Sequence, residues 1–85
     1  MTQPELQKIR DRCNRATSGP WKSHAEGRDF TGGGSCITTG TDRDIEPIGA
    51  TADDLDFMAH AQQDIPRLID EIERLQAKLE ERGLR

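Results

Sequence analysis

At 85 residues the chain has room for one domain, and a domain of that size buries only roughly 60 to 65% of the surface its unfolded chain exposes. Its residues are 32% hydrophobic, 4% aromatic and 33% charged, so the core is thin; apolar surface must be used economically or shared between copies, and a homo-oligomer, dimer or higher, is expected. A formal net charge of -4 excludes a general nucleic-acid binder, which relies on clustered Lys and Arg to neutralise phosphates.

The chain opens with Thr2 and, three residues on, Glu5, the pattern of a capping box with Pro4 in the first turn. Leu6, Ile9, Cys13 and Ala16 then recur at steps of three and four, which predicts an amphipathic helix over 1–18. Gly19 in a left-handed C′ conformation and Pro20 after it are expected to stop that helix and launch Trp21 into an extended segment. The chain opens at Met1-Thr2-Gln3-Pro4-Glu5-Leu6 without a basic stretch leading into an apolar run, and no run of roughly 18 apolar residues occurs anywhere; a cytoplasmic protein with no membrane partner is expected. Cys13 and Cys36 lack CxxC spacing and are read as reduced thiols, with Cys13 in the core.

From 21 to 48 the glycines cut the chain into pieces too short for helices, so this Gly/Thr-rich stretch reads as a small antiparallel sheet or hairpin. Strands are predicted at 21–26 and 35–39, with a weaker one at 44–48. Trp21, Ser23 and Ala25 share one face of the first, and Ile37 and Thr39 share one face of the second. Thr51 to Asp54 repeats the capping-box pattern and starts a helix over 51–63. Asp64 as N-cap and Pro66 in a first turn then predict a separate helix over 65–82. In that helix Ile65, Leu68, Ile72, Leu75 and Leu79 fill alternating a and d positions of a heptad, with the Ile and Leu placement that favours a parallel two-stranded coiled coil. Ile69 widens the stripe, as a helix packing on its own domain would require, and only about two heptads are filled. The compromise expectation is home packing for the N-terminal half and assembly through the C-terminal half. The fold class is thus α+β, as one domain: N-terminal helix, short antiparallel sheet, two C-terminal helices.

Two segments bracket the sheet. One is Ala16-Thr17-Ser18-Gly19-Pro20-Trp21. The other is Asp54-Leu55-Asp56-Phe57-Met58-Ala59-His60-Ala61, which leads through Asp64-Ile65-Pro66 into Leu68-Ile69-Asp70-Glu71-Ile72-Glu73-Arg74-Leu75. This order resembles a family of small proteins common in actinobacterial phages and prophages, distantly similar to the Ead/Ea22-like phage proteins. The resemblance implies the architecture and a phage accessory role, and implies no particular activity.

Candidate chemistry is sparse. His24 and His60 stand in different elements without a metal-ligand spacing, and Ser35 follows three glycines but lacks the glycine after it and the strand before it that a nucleophile elbow needs. Asp53, Asp54 and Asp56 are explained by the helix dipole. No enzymatic activity, metal or cofactor is expected. Gly33, Gly34 and Ser35 read most simply as a flexible hairpin tip, but their backbone N–H groups would also suit an anion. Arg28 and Arg43 could pair with phosphate oxygens, Thr38 could donate a hydroxyl, and Phe30 or Trp21 could stack on a base. Trp21 reads first as the structural anchor between sheet and helices. Two functions follow as expectations: an oligomeric adaptor or inhibitor of a host protein, or an oligomeric sponge for a nucleotide-like anionic signal of host anti-phage defence.

Overall fold

The computed structural model describes residues 1–83. In chain order the elements are α1 (Gln3–Arg15), β1 (Lys22–His24), β2 (Cys36–Thr38), β3 (Asp44–Ile45) and α2 (Ala52–Glu81), an α+β arrangement with two helices. The three strands form one antiparallel sheet in the order β1-β2-β3, with Ser23 opposite Ile37 and Ile37 opposite Ile45. Both capping boxes form: the side chains of Thr2 and Thr51 accept from the backbone N–H groups of Glu5 and Asp54, whose carboxylates reach back to the cap N–H groups.

The expected pair of C-terminal helices is one helix of 30 residues, because the chain does not break at Pro66. An interior proline costs a helix about 3 kcal/mol. Leu55 and Ala59 are buried before the proline and Ile69 after it, and burying each large aliphatic contributes about 1.5 to 3 kcal/mol. Buried contacts on both sides of the proline together offset its local cost, and the helix runs through.

Around α2 the other elements share a wall. Ala25 and Ile37 of the sheet side pack with Leu55 and Ala59, flanked by Trp21, Ile45 and Met58. Helix α1 runs antiparallel along the second half of α2: Gln3 bonds Gln76, while Arg10 is paired with Asp70 at 3.0 Å and with Glu73. Leu6 is the buried residue of α1 and Ile69 that of the facing half of α2. The side of α2 turned inward therefore reads Leu55, Ala59, Gln62, Pro66, Ile69, Glu73, Gln76, all at least half-buried. The predicted stripe lies one residue round the helix from it. Ile65 and Leu68, expected to pack at home, are exposed, and so are Leu75 and Leu79; Ile72 alone of the five is half-buried.

The end of α1 also departs from expectation. The helix stops at Arg15, with Ala16 as an extended cap whose N–H bonds the Arg12 carbonyl; Ala16 is exposed and Cys13 only half-buried, outside the core. Gly19 does not take the left-handed conformation, and the Gly19–Pro20 peptide is cis. A Cβ there would run into the end of the Gln62 side chain, which would have to move aside. Gly40 is tighter still: its N–H donates to the Ser18 carbonyl at 2.7 Å, and a Cβ on it would lie 1.8 Å from the Gly19 carbonyl oxygen. This contact fastens the β2–β3 turn to the end of α1. Among the described residues no helix is long and apolar enough to cross a membrane.

Gly40→Ala is expected to lower stability by about 1 to 3 kcal/mol, the usual cost of forcing an atom into a filled site. Gly34→Ala, where a Cβ meets nothing within 4 Å, should be neutral within about 0.5 kcal/mol. Urea denaturation of the two variants beside the parent tests the contrast.

Candidate functional site

Where β1 faces the first half of α2, the two elements enclose a polar cleft of about 550 Å³ lined by Trp21, Lys22, His24, Arg28, His60 and Gln63, among others. Its floor is an ion-pair network. Arg28, on the turn after β1, reaches Asp29 beside it and Asp56 on α2, each at 2.8 Å. Ser23 of β1 donates its hydroxyl to Asp56 at 2.5 Å, so one carboxylate joins strand, turn and helix.

Local chain geometry holds these groups in place. Asp29 closes the turn that carries Arg28: its carboxylate accepts from the Ala25 N–H at 2.9 Å, and its own N–H donates to the Ala25 carbonyl at 2.8 Å. His60 follows Asp56 by one helical turn and donates Nδ1–H to the Asp56 carbonyl at 2.8 Å, which leaves Nε2 for a ligand. His24 Nε2 meets the Thr38 hydroxyl at 3.1 Å. Trp21 donates its indole N–H to the Thr17 carbonyl at 2.9 Å, which orients the ring at the mouth of the cleft.

The network also sets the charge. Hydrogen bonds from Arg28, then from the Ala25 N–H, hold Asp29 down to about 2. Arg28 and then Ser23 lower Asp56 in the same way, while Asp56 and then Asp29 raise the guanidinium. With both carboxylates ionised, Arg28 is neutralised from two sides, and Lys22 and the two imidazoles remain as the groups that face an incoming ligand.

A second depression lies across Trp21. It is an apolar groove of about 310 Å³ formed by Cys13 and Ala16 at the end of α1, by Trp21, and by Phe57, Ala61 and Ile65 of α2, with Arg12 at its rim. Phe57 is 75% exposed there, and along the same side of α2 Leu68, Leu75 and Leu79 are 60%, 47% and 52% exposed.

The residues singled out for anion binding are not brought together. Arg28 lines the polar cleft, and Phe30 lies at the far side of the same turn, bridged to Glu26. A Cβ on Gly33 would lie 3.8 Å from the Phe30 ring, while Gly34 and Ser35 border a shallow hollow with Pro47 and Ile48; the Ser35 hydroxyl oxygen accepts from the Glu26 N–H. Thr38 is bonded to His24 in mid-sheet. Arg43 sits on the β2–β3 turn at the opposite end of the sheet, where its carbonyl accepts from Thr39. Lys22, Asp56, His60 and Gln63 were missed as site residues. Asp56 lies past the first turn of α2, where a helix dipole no longer accounts for a carboxylate, and His60 four residues on shares its face; that spacing was the available signal. Among the described residues no cluster of His, Cys, Asp and Glu is placed to hold a metal ion. No protein-family model matches the chain, and no curated protein or solved structure is significantly similar to it.

Because the folded values of Asp29 and Asp56 lie below those of an unfolded chain, their contribution is complete above about pH 4 and fades as pH falls toward 2. Stability measured by urea denaturation should therefore drop between pH 5 and pH 2, and Arg28→Met should flatten that drop, since without the guanidinium both carboxylates return toward their ordinary values.

Proposed function

We propose that the protein works by binding and not by catalysis, as a self-associating adaptor or inhibitor of a host protein in a phage or prophage setting. The observation that carries the reading is the run of exposed apolar side chains along α2, Phe57, Leu68, Leu75 and Leu79, on a helix whose inward side is already used by α1 and the sheet. An 85-residue chain with so few apolar residues gains little from leaving them in water, and apolar surface of this extent marks interaction sites. The phage setting comes from the resemblance of the bracketing segments.

A second reading is supported by the polar cleft. Trp21 offers an aromatic face, Lys22 a cation, and His60 a free ring nitrogen, the chemistry that suits one nucleotide-like anion. Arg28, engaged by two carboxylates, contributes less to such a site than its sequence position suggests. In this reading the oligomer is a sponge for an anionic defence signal.

Light scattering on the purified protein should give a multiple of the monomer mass, and Leu75→Asp with Leu79→Asp should reduce it to one chain while circular dichroism stays helical. A monomeric parent overturns the self-association reading. The sponge reading predicts that a panel of cyclic and linear nucleotides contains one that raises Tm, with the shift removed by Lys22→Ala; a panel without such a member overturns it.

A further inference from the structure

Two complementary features occupy opposite ends of the same helix face. Near the start of α2 is the apolar groove, with Ala61 and Ile65 in its floor and Cys13 in its wall. At the other end α2 outruns α1: Gln76 bonds Gln3 and the Met1 carbonyl, and the helix continues to Glu81 with exposed Leu79 on it. Phe57, Ala61, Ile65, Leu68, Ile72, Leu75 and Leu79 form one stripe of steps of four and three. Ala61 and Leu79 are about 27 Å apart at 1.5 Å per residue, so a chain cannot seat its own tip in its own groove.

We propose that the occupant of the groove is the α2 tip of a second copy, with the two helices antiparallel about a twofold axis between Leu68 and Ile72. The inference rests on the self-association reading and deepens it. In this register Leu68 meets the partner's Ile72, Ile65 meets the partner's Leu75, and Ala61 meets the partner's Leu79, so the stripe from Ala61 to Leu79 is covered on both chains and the contact closes on itself.

Charge favours this orientation at the two ends of the contact, where opposite pairs outnumber the one like-charge approach, Glu71 beside the partner's Glu71 at the axis. The antiparallel register sets Asp64 beside the partner's Lys78, and it brings Arg12 and Arg15, at the end of α1, to the partner's Glu80 and Glu81; all six are exposed in the single chain. A parallel pair would place Glu71 opposite the partner's Gln76 and Lys78 opposite the partner's Gly83, which pairs no opposite charges. It would also leave the groove unfilled. The heptad spacing alone favours a parallel pair, but that preference belongs to helices without neighbours. Here α1 and Trp21 build a groove on one end of the helix only.

The test uses Cys13, which already lines the groove. Leu79→Cys is treated with a short bismaleimide, the product is separated on a denaturing gel, and linked peptides are identified by mass spectrometry, with light scattering run on the same sample before linking. A two-chain product joined between Cys13 and the thiol introduced at position 79 is the expected result. A dimer joined 79 to 79, or a dimer without the Cys13 link, overturns the antiparallel arrangement and leaves self-association standing; a parent protein that scatters as a monomer overturns both. Arg82→Cys repeats the measurement with every apolar side chain intact, because position 82 falls beside the partner's Met58 in the same groove.

Discussion

Every other element of this protein depends on α2 as a common wall. The sheet has only three short strands and reaches its core through Ala25 and Ile37, which pack on Leu55 and Ala59; α1 contributes Leu6 to the same helix further along. Neither the sheet nor α1 has enough apolar surface to be stable by itself. They are held in one molecule because a single unbroken helix offers each of them a buried aliphatic. The continuity of that helix through Pro66 is accordingly a tertiary effect, and the local cost of the proline is accepted on both sides.

Polar contacts supplement this thin core by positioning. Arg10 pins α1 to α2 through Asp70 and Glu73, and Arg28 pins the turn after β1 to α2 through Asp56. Exposed ion pairs add little stability, but each of these joins segments distant in sequence and fixes which side of α2 each segment covers. The result divides the helix surface cleanly. A polar cleft opens on one side of Trp21 and an apolar groove on the other, and the stripe beyond the groove is left exposed by the described residues.

Much of the architecture was legible in local chemistry. The two capping boxes place both helix starts, and the strands found at 22–24, 36–38 and 44–45 lie inside the predicted stretches, with Ile37 on the inner face. Pro66 was misleading because rules for proline act through one lost hydrogen bond and know nothing of Ile69. The home packing expected of Ile65 and Leu68 fails for a related reason: two stripes, one residue apart, run the length of α2, and the more apolar one faces outward. The inward one includes Glu73 and Gln76, held by Arg10 and Gln3 and not by hydropathy, and Gln62, whose Oε1 is buried without a hydrogen-bond partner among the described residues. The polar cleft was the least legible feature. It joins Ser23, Arg28 and Asp56 across gaps that only the fold closes, and the glycine-rich loop that drew attention in the sequence bonds mostly to itself.

The position of Trp21 has an optical consequence. The chain has no tyrosine and one tryptophan, and that indole borders both depressions while its N–H is tied to the Thr17 carbonyl. Its emission therefore reports from the partition between the two surfaces. A ligand in the cleft and hydrocarbon in the groove would each change the surroundings of the same indole, giving the molecule a native spectroscopic marker for both faces without any label.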